Sequence, residues 1–155
     1  MNYVDTTRLS YQDAEQIPQV AEALALLERE LDPRFTYHTA DHTRVVLADA
    51  LMLAHAEGCS HHEQVLVALA AAFHDVGYLD RATHNEEFGA RRARLAMEEG
   101  GYSSSDITAV EQMILDTSMV QSIAGVLHMP RHVLSPYLLD ADLANLGRAS
   151  FWDQF

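Results

Sequence analysis

The stretch Val65-Leu66-Val67-Ala68-Leu69-Ala70-Ala71-Ala72-Phe73-His74-Asp75-Val76-Gly77-Tyr78 constrains this chain more than any other. Apolar residues run without a break into an adjacent imidazole and carboxylate, followed by a glycine that can end a helix. A segment apolar on every side reads as a helix buried at the centre of an all-helical domain. Burying His74 and Asp75 at its end costs free energy unless something binds them. A metal ion is the direct compensation, because it pairs the carboxylate and fixes the imidazole tautomer. The purely structural alternative is a core histidine bonded to a neighbouring carbonyl, with an aspartate near a helix end.

The rest of the chain supplies helices to surround that segment. Residues 1–17 form an irregular or weakly helical lead-in. Pro18 fits a first helical turn, and Val20, Ala23, Leu24, Leu27 and Leu31 repeat at helical spacing until Asp32-Pro33 stops them. A helix carrying His42, Val45, Val46, Ala48, Ala50, Leu51 and Leu53 closes at Gly58. Ser60 with Glu63 has the form of a capping box for the central helix, and Thr83 with Glu86 has the same form for the next. That next helix, with Phe88, Leu95 and Met97, stops at Gly100-Gly101. Another begins at Ser103 to Ser105 and carries Ile107, Val110, Met113, Ile114 and Leu115. Residues 119–131 read as a mixed loop. Ser135-Pro136 then starts a helix with Leu138, Leu139, Leu143 and Leu146 that ends at Gly147. No strand alternation or internal repeat is visible. The expectation is all-α: one domain over residues 1–155, a compact bundle of about six to seven helices with its site core at about 35–147. Ala149 to Phe155 reads as the opening turn of a further helix, either a seal on the core or the start of a longer chain.

Composition narrows the function classes. The 155 residues carry 23 acids against 10 bases, a formal charge of −13, and every base is arginine. Such a surface disfavours duplex nucleic acid and anionic lipid as main partners. One cysteine, Cys59, excludes an internal disulfide and a cysteine-based zinc site, and suits a cytoplasmic location. No apolar run approaches a membrane span. The nine histidines carry the chemical information.

His42 in a first helical turn, His74-Asp75 at the end of the central helix, and Asp140-Ala141-Asp142 within the last full helix each place imidazole or carboxylate beside apolar neighbours. Two histidines with two carboxylates make a mixed N/O set suited to Mn, Fe, Zn, Co or Mg with open positions, not a closed structural site. Tyr37-His38-x-x-x-His42-x-x-Val45, then Phe73-His74-Asp75-Val76-Gly77, then Asp140-Ala141-Asp142-Leu143-x-x-Leu146-Gly147 resemble the H…HD…D signature of the HD-domain metal-dependent phosphohydrolases, over about residues 35–153. The resemblance implies an all-helical HD fold, a divalent metal and hydrolysis of a phosphate ester or anhydride. It implies His42, His74, Asp75 and one aspartate of the 140/142 pair as ligands. Asp142 is favoured because Ala141-Asp142-Leu143-Ala144-Asn145 is similar to the Ala-Asp-Leu-Ser-Asn run around the last ligand of some cyclic-nucleotide phosphodiesterases.

Other positions follow from the same resemblance. His84-Asn85-Glu86-Glu87-x-Gly89-Ala90 is similar to the H-x-E-x-x-G-A element that follows the HD pair in many relatives. Glu86 is then either a helix cap or a carboxylate that orients water. Two-metal members use a further histidine pair, whereas Asp116-Thr117-Ser118 holds none, so a single ion is expected. The lysine that often follows HD-x-G is replaced by Tyr78, with Arg91, Arg92 and Arg94 as the nearest substitutes or simply a solvated helix face. His38, four residues before His42, would stand roughly 5–6 Å along the same helical face if the helix starts early enough. The Tyr37-His38 pair resembles the Tyr-His-Asn opening of cyclic-nucleotide phosphodiesterases, whose histidine protonates the leaving oxygen; Thr39 stands in place of the asparagine. The catalytic candidates are therefore His38, Asp75 and Glu86. The implied substrate is a nucleotide, cyclic nucleotide or other small phosphate ester, and homo-oligomerisation is left open. Two alternatives stand beside hydrolysis: a diiron oxygenase, and a catalytically silent module that binds metal or nucleotide.

Overall fold

A computed structural model describes residues 3–118 and 130–144. Among these are seven α-helices and one 3-10 turn, with no strand. The helices are α1 (Tyr11–Glu15), α2 (Pro18–Glu30), α3 (Ala40–Ala56), α4 (His61–Phe73), α5 (Asn85–Glu99), α6 (Ser104–Leu115) and α7 (Ser135–Ala144), and the 3-10 turn spans Val76–Leu79 between α4 and α5. None is long and apolar enough to cross a membrane. The expectation of an all-helical bundle is met. The reading of a loop over 119–131, of a last helix running to Gly147 and of an aromatic C-terminal turn falls largely or wholly outside the described residues.

The apolar segment is the centre of the bundle. Leu66 to Phe73 are all buried, and α4 packs against α2, α3, α5, α6 and α7. Its four alanines let neighbouring helices approach closely, while Leu66, Val67, Leu69 and Phe73 fill the space between them. Each such large side chain contributes about 1.5–3 kcal/mol by burial. The Ser60–Glu63 capping box is formed in both directions, Ser60 Oγ accepting from the Glu63 amide and the Glu63 carboxylate from the Ser60 amide. At the same end the fully buried Gln64 accepts from the Leu9 amide (2.9 Å) and donates to the carbonyls of Thr7 and Cys59. The lead-in is thus tied to the core through one amide side chain.

Two local expectations are corrected. The Thr83–Glu86 capping box does not form: α5 starts at Asn85, and His84 precedes it in the left-handed region (φ 56°) with no side-chain cap bond. The Thr83 hydroxyl instead accepts from Arg81. The start of α5 is set by tertiary packing, and Gly77 shows how. Gly77 does not end α4 through a left-handed turn; its φ is not positive. A Cβ on Gly77 would fall 1.7 Å from the Asn85 carbonyl oxygen and 2.8 Å from the Gly89 amide, and one on Gly89 would fall 2.9 Å from the Phe73 carbonyl oxygen. The two glycines let the turn after His74-Asp75 lie directly on α5.

The segment leading into α7 is anchored by Asp116, buried at the end of α6. Its carboxylate accepts from the Arg131 amide (2.8 Å), the His132 amide (3.2 Å), the Ser135 hydroxyl (2.6 Å) and the Gln112 side chain (3.1 Å). This carboxylate fixes where α7 begins, and therefore where Asp142 stands.

Candidate metal centre

Four elements converge at the C-terminal end of α4. His42 comes from the first turn of α3, whose Thr39 N-cap hydroxyl accepts from the His42 amide. His74 is the residue that ends α4, Asp75 precedes the 3-10 turn, and Asp142 lies on α7. His42 Nε2 is 3.1 Å from Asp142 Oδ1 and 3.6 Å from Asp75 Oδ2. His74 Nε2 is 3.4 Å from Asp75 Oδ2 and 3.6 Å from Asp142 Oδ1. The side chains of His42, His74 and Asp75 are 3%, 1% and 8% exposed, whereas Asp142 is 27% exposed, so the group meets solvent on the Asp142 side.

Asp142 is the member of the 140/142 pair that reaches this group; Asp140 is exposed. The structure brings together all four residues expected as ligands. It also forms two overlapping groups whose donor atoms lie within 4.8 Å of one another: His42, His74 and Asp142, and His38, His42 and Asp75.

The tautomer of His74 is fixed by its surroundings. Nδ1–H donates to the Ala71 carbonyl at 2.6 Å, which turns the Nε2 lone pair towards the carboxylates. That Nε2 is buried and has no hydrogen-bond partner. An orphaned imidazole nitrogen facing two carboxylates and a second imidazole is a donor set that accepts a cation. The electrostatics agree. Burial disfavours the charged form of His74, but Asp75 and Asp142 override it and push its pKa up to about 10. Burial likewise opposes ionisation of Asp142 and Asp75, yet His74 and the neighbouring imidazoles hold both carboxyls below the ordinary range. Two buried carboxylates require a positive charge here, supplied by a proton on His74 or by a metal ion that displaces it.

His38 sits beside this group by a route different from the expected one. It precedes the Thr39 cap, so it is not on the α3 face that carries His42. Its ring is nevertheless 6.1 Å from that of His42. Nδ1–H donates to Asp75 Oδ2 at 2.9 Å, Nε2 is 3.1 Å from the Tyr78 hydroxyl, and the side chain is 31% exposed. Tyr37 packs against His42 at 4.5 Å between ring centroids. Burial, with Asp142 and Asp75, pushes the Tyr37 phenol up to about 12.

Glu86 is not among the donor groups. It lies on the first turn of α5 and lines a separate cavity of about 240 Å³ with His84, Glu87, Gln112, Asp116 and Arg131. Arg92 is paired with Asp80, Arg94 with Glu111, and Arg91 stacks over Phe88, so these three arginines are occupied on the α5 surface. His55 and His62 are exposed, the latter paired with Asp106, and His132 accepts from the Leu134 amide. His128 lies outside the described residues. Two contributors escaped the sequence reading. Asp116 registered only as a position without histidine, and Tyr78 only as a missing lysine; neither spacing nor periodicity marks their partners. Comparison with protein-family models, curated proteins and solved structures gave no match.

Proposed function

We propose that this chain is a divalent-metal-dependent phosphohydrolase of the HD-domain kind, cleaving a nucleotide, cyclic nucleotide or other small phosphate ester. The observation that carries the reading is the orphaned His74 Nε2, locked in tautomer by Ala71 and aimed at His42, Asp75 and Asp142. These four residues would hold the ion. When bound, a divalent ion supplies Lewis acidity, which acidifies water and neutralises charge on a phosphoryl oxygen. We assign His38 a role outside the ligand set: its Nδ1 lies on Asp75, its Nε2 on the Tyr78 hydroxyl, and part of its ring faces solvent. Protonated at Nε2 as well as Nδ1, it would pass the Nε2 proton to the leaving oxygen as the phosphorus–oxygen bond breaks, while water supplies the new oxygen on phosphorus and gives up the proton that restores the imidazolium. Asp75 serves both tasks, as a ligand and as the acceptor that holds the His38 ring. Glu86 lines a separate cavity and is assigned no step in this scheme.

The test is a hydrolysis screen of the purified protein loaded in turn with Mn, Fe, Co, Zn and Mg, across nucleotides, cyclic nucleotides and sugar phosphates. Turnover of at least one class, lost in His74→Gln and Asp142→Asn, is expected. Metal binding without turnover of any phosphate ester would refute the phosphohydrolase and favour a silent metal-binding module.

A further inference from the structure

His38 needs an external clamp. It lies in the irregular segment before α3, so no helical lattice fixes its ring. Side chains do so instead. Tyr78 stacks on the imidazole with centroids 4.2 Å apart and planes 20° from parallel, and its hydroxyl lies 3.1 Å from Nε2. Tyr37 packs edge-on against the same imidazole at 4.9 Å. Tyr78 is itself held edge-on by Phe35 at 5.2 Å. It sits on the 3-10 turn that the Gly77–Gly89 contact presses onto α5, three residues after Asp75. The backbone turn that presents Asp75 to His38 Nδ1 therefore also presents Tyr78 to Nε2.

We propose that Tyr78 is a positioning residue for His38, holding the imidazole by its ring stack and hydroxyl so that Nδ1 stays on Asp75 and Nε2 faces the open side of the site. The catalytic consequence rests on the phosphohydrolase reading; the clamp itself does not. Burial, followed by the carboxylates of Asp75, Glu86 and Asp142, raises the Tyr78 phenol, so its hydroxyl keeps its proton: it donates to Nε2 of the neutral imidazole and accepts from Nε2–H of the imidazolium.

Tyr78→Phe separates the two contacts, keeping the stack and removing the hydroxyl. Side-chain nitrogen NMR of His38, assigned by its disappearance in His38→Gln and recorded across the imidazole titration range, reads the clamp without any turnover. The Nε2 resonance of neutral His38 should move downfield in Tyr78→Phe, as a ring nitrogen does on losing a donor, while Nδ1 keeps its attached proton. In turnover, kcat should fall about five- to tenfold, the scale of one neutral hydrogen bond, with KM and bound metal unchanged. Tyr78→Leu, which loses the stack as well, should lower kcat further and broaden the His38 signals. An Nε2 resonance identical in wild type and Tyr78→Phe would overturn the clamp. A shifted resonance in a protein that hydrolyses nothing would leave the clamp intact and refute the phosphohydrolase instead.

Discussion

Raising the pH of the metal-free protein should weaken it chiefly through His74. His74 in the folded chain is pushed up to about 10 by Asp75 and Asp142, against an ordinary value near 6.5. A group with a raised folded pKa binds its proton more tightly in the native state. Its contribution is complete below the unfolded pKa and is lost as pH rises through the folded one. Between pH 7 and pH 9 nearly one more proton is bound to the native state, so stability should fall by about 2–3 kcal/mol at about 1.4 kcal/mol per pH unit. For a chain of this size each 1 kcal/mol moves Tm by roughly 2–4 °C, so the midpoint should drop by roughly 5–10 °C. Thermal melts followed by circular dichroism in chelator test this. Cys59, whose thiol burial also raises, adds a smaller loss in the same direction at the top of the range. His74→Gln keeps that contribution and removes the imidazole, so the difference between the two slopes isolates His74. Saturating metal should flatten the wild-type profile, because the ion takes the proton's place. A metal-free wild type whose Tm follows the same pH slope as His74→Gln would refute the charge-compensation argument.

His38→Gln should retain metal and Tm while losing turnover by about a hundredfold or more, with the smallest loss on a nitrophenyl ester, whose leaving group needs no proton; loss of bound metal, or equal losses on all leaving groups, would remove it from the proton-donor role. Gly77→Ala should fail to accumulate as folded protein or lose at least about 3 kcal/mol in denaturant titration, since its Cβ would lie 1.7 Å from a backbone carbonyl oxygen. Asp142→Asn should abolish metal binding by calorimetry, whereas Asp140→Asn, on the exposed side of the same helix, should leave it unchanged.

The bundle was legible because its signals are local and repetitive. Val65 to Phe73 is apolar all round, and the Ser60 and Ser103 caps sit where short-range spacing puts them. The candidate centre was legible for a different reason: an imidazole–carboxylate pair at the end of a buried helix demands a partner wherever the fold places one. What stayed hidden depends on contacts between distant segments. The start of α5 is decided by backbone meeting backbone at Gly77 and Gly89, which overrides the Thr83–Glu86 spacing. His38 reaches Asp75 from an irregular segment, so helical geometry gave about the right distance for the wrong reason. Asp116 anchors α7 by accepting from amides 15 and 16 residues away in the chain, and no pattern of residue types announces such a bond.

The central claim is that His42, His74, Asp75 and Asp142 form a cation site, and metal content measures it most directly. The protein, stripped with chelator and reloaded with each of Mn, Fe, Co, Zn and Mg, is dialysed and assayed by elemental analysis beside His74→Gln and Asp142→Asn. One equivalent per chain of at least one of these metals, retained by the wild type and absent from both variants, is the predicted result. No retained metal in the wild type, or equal metal in all three proteins, would contradict it.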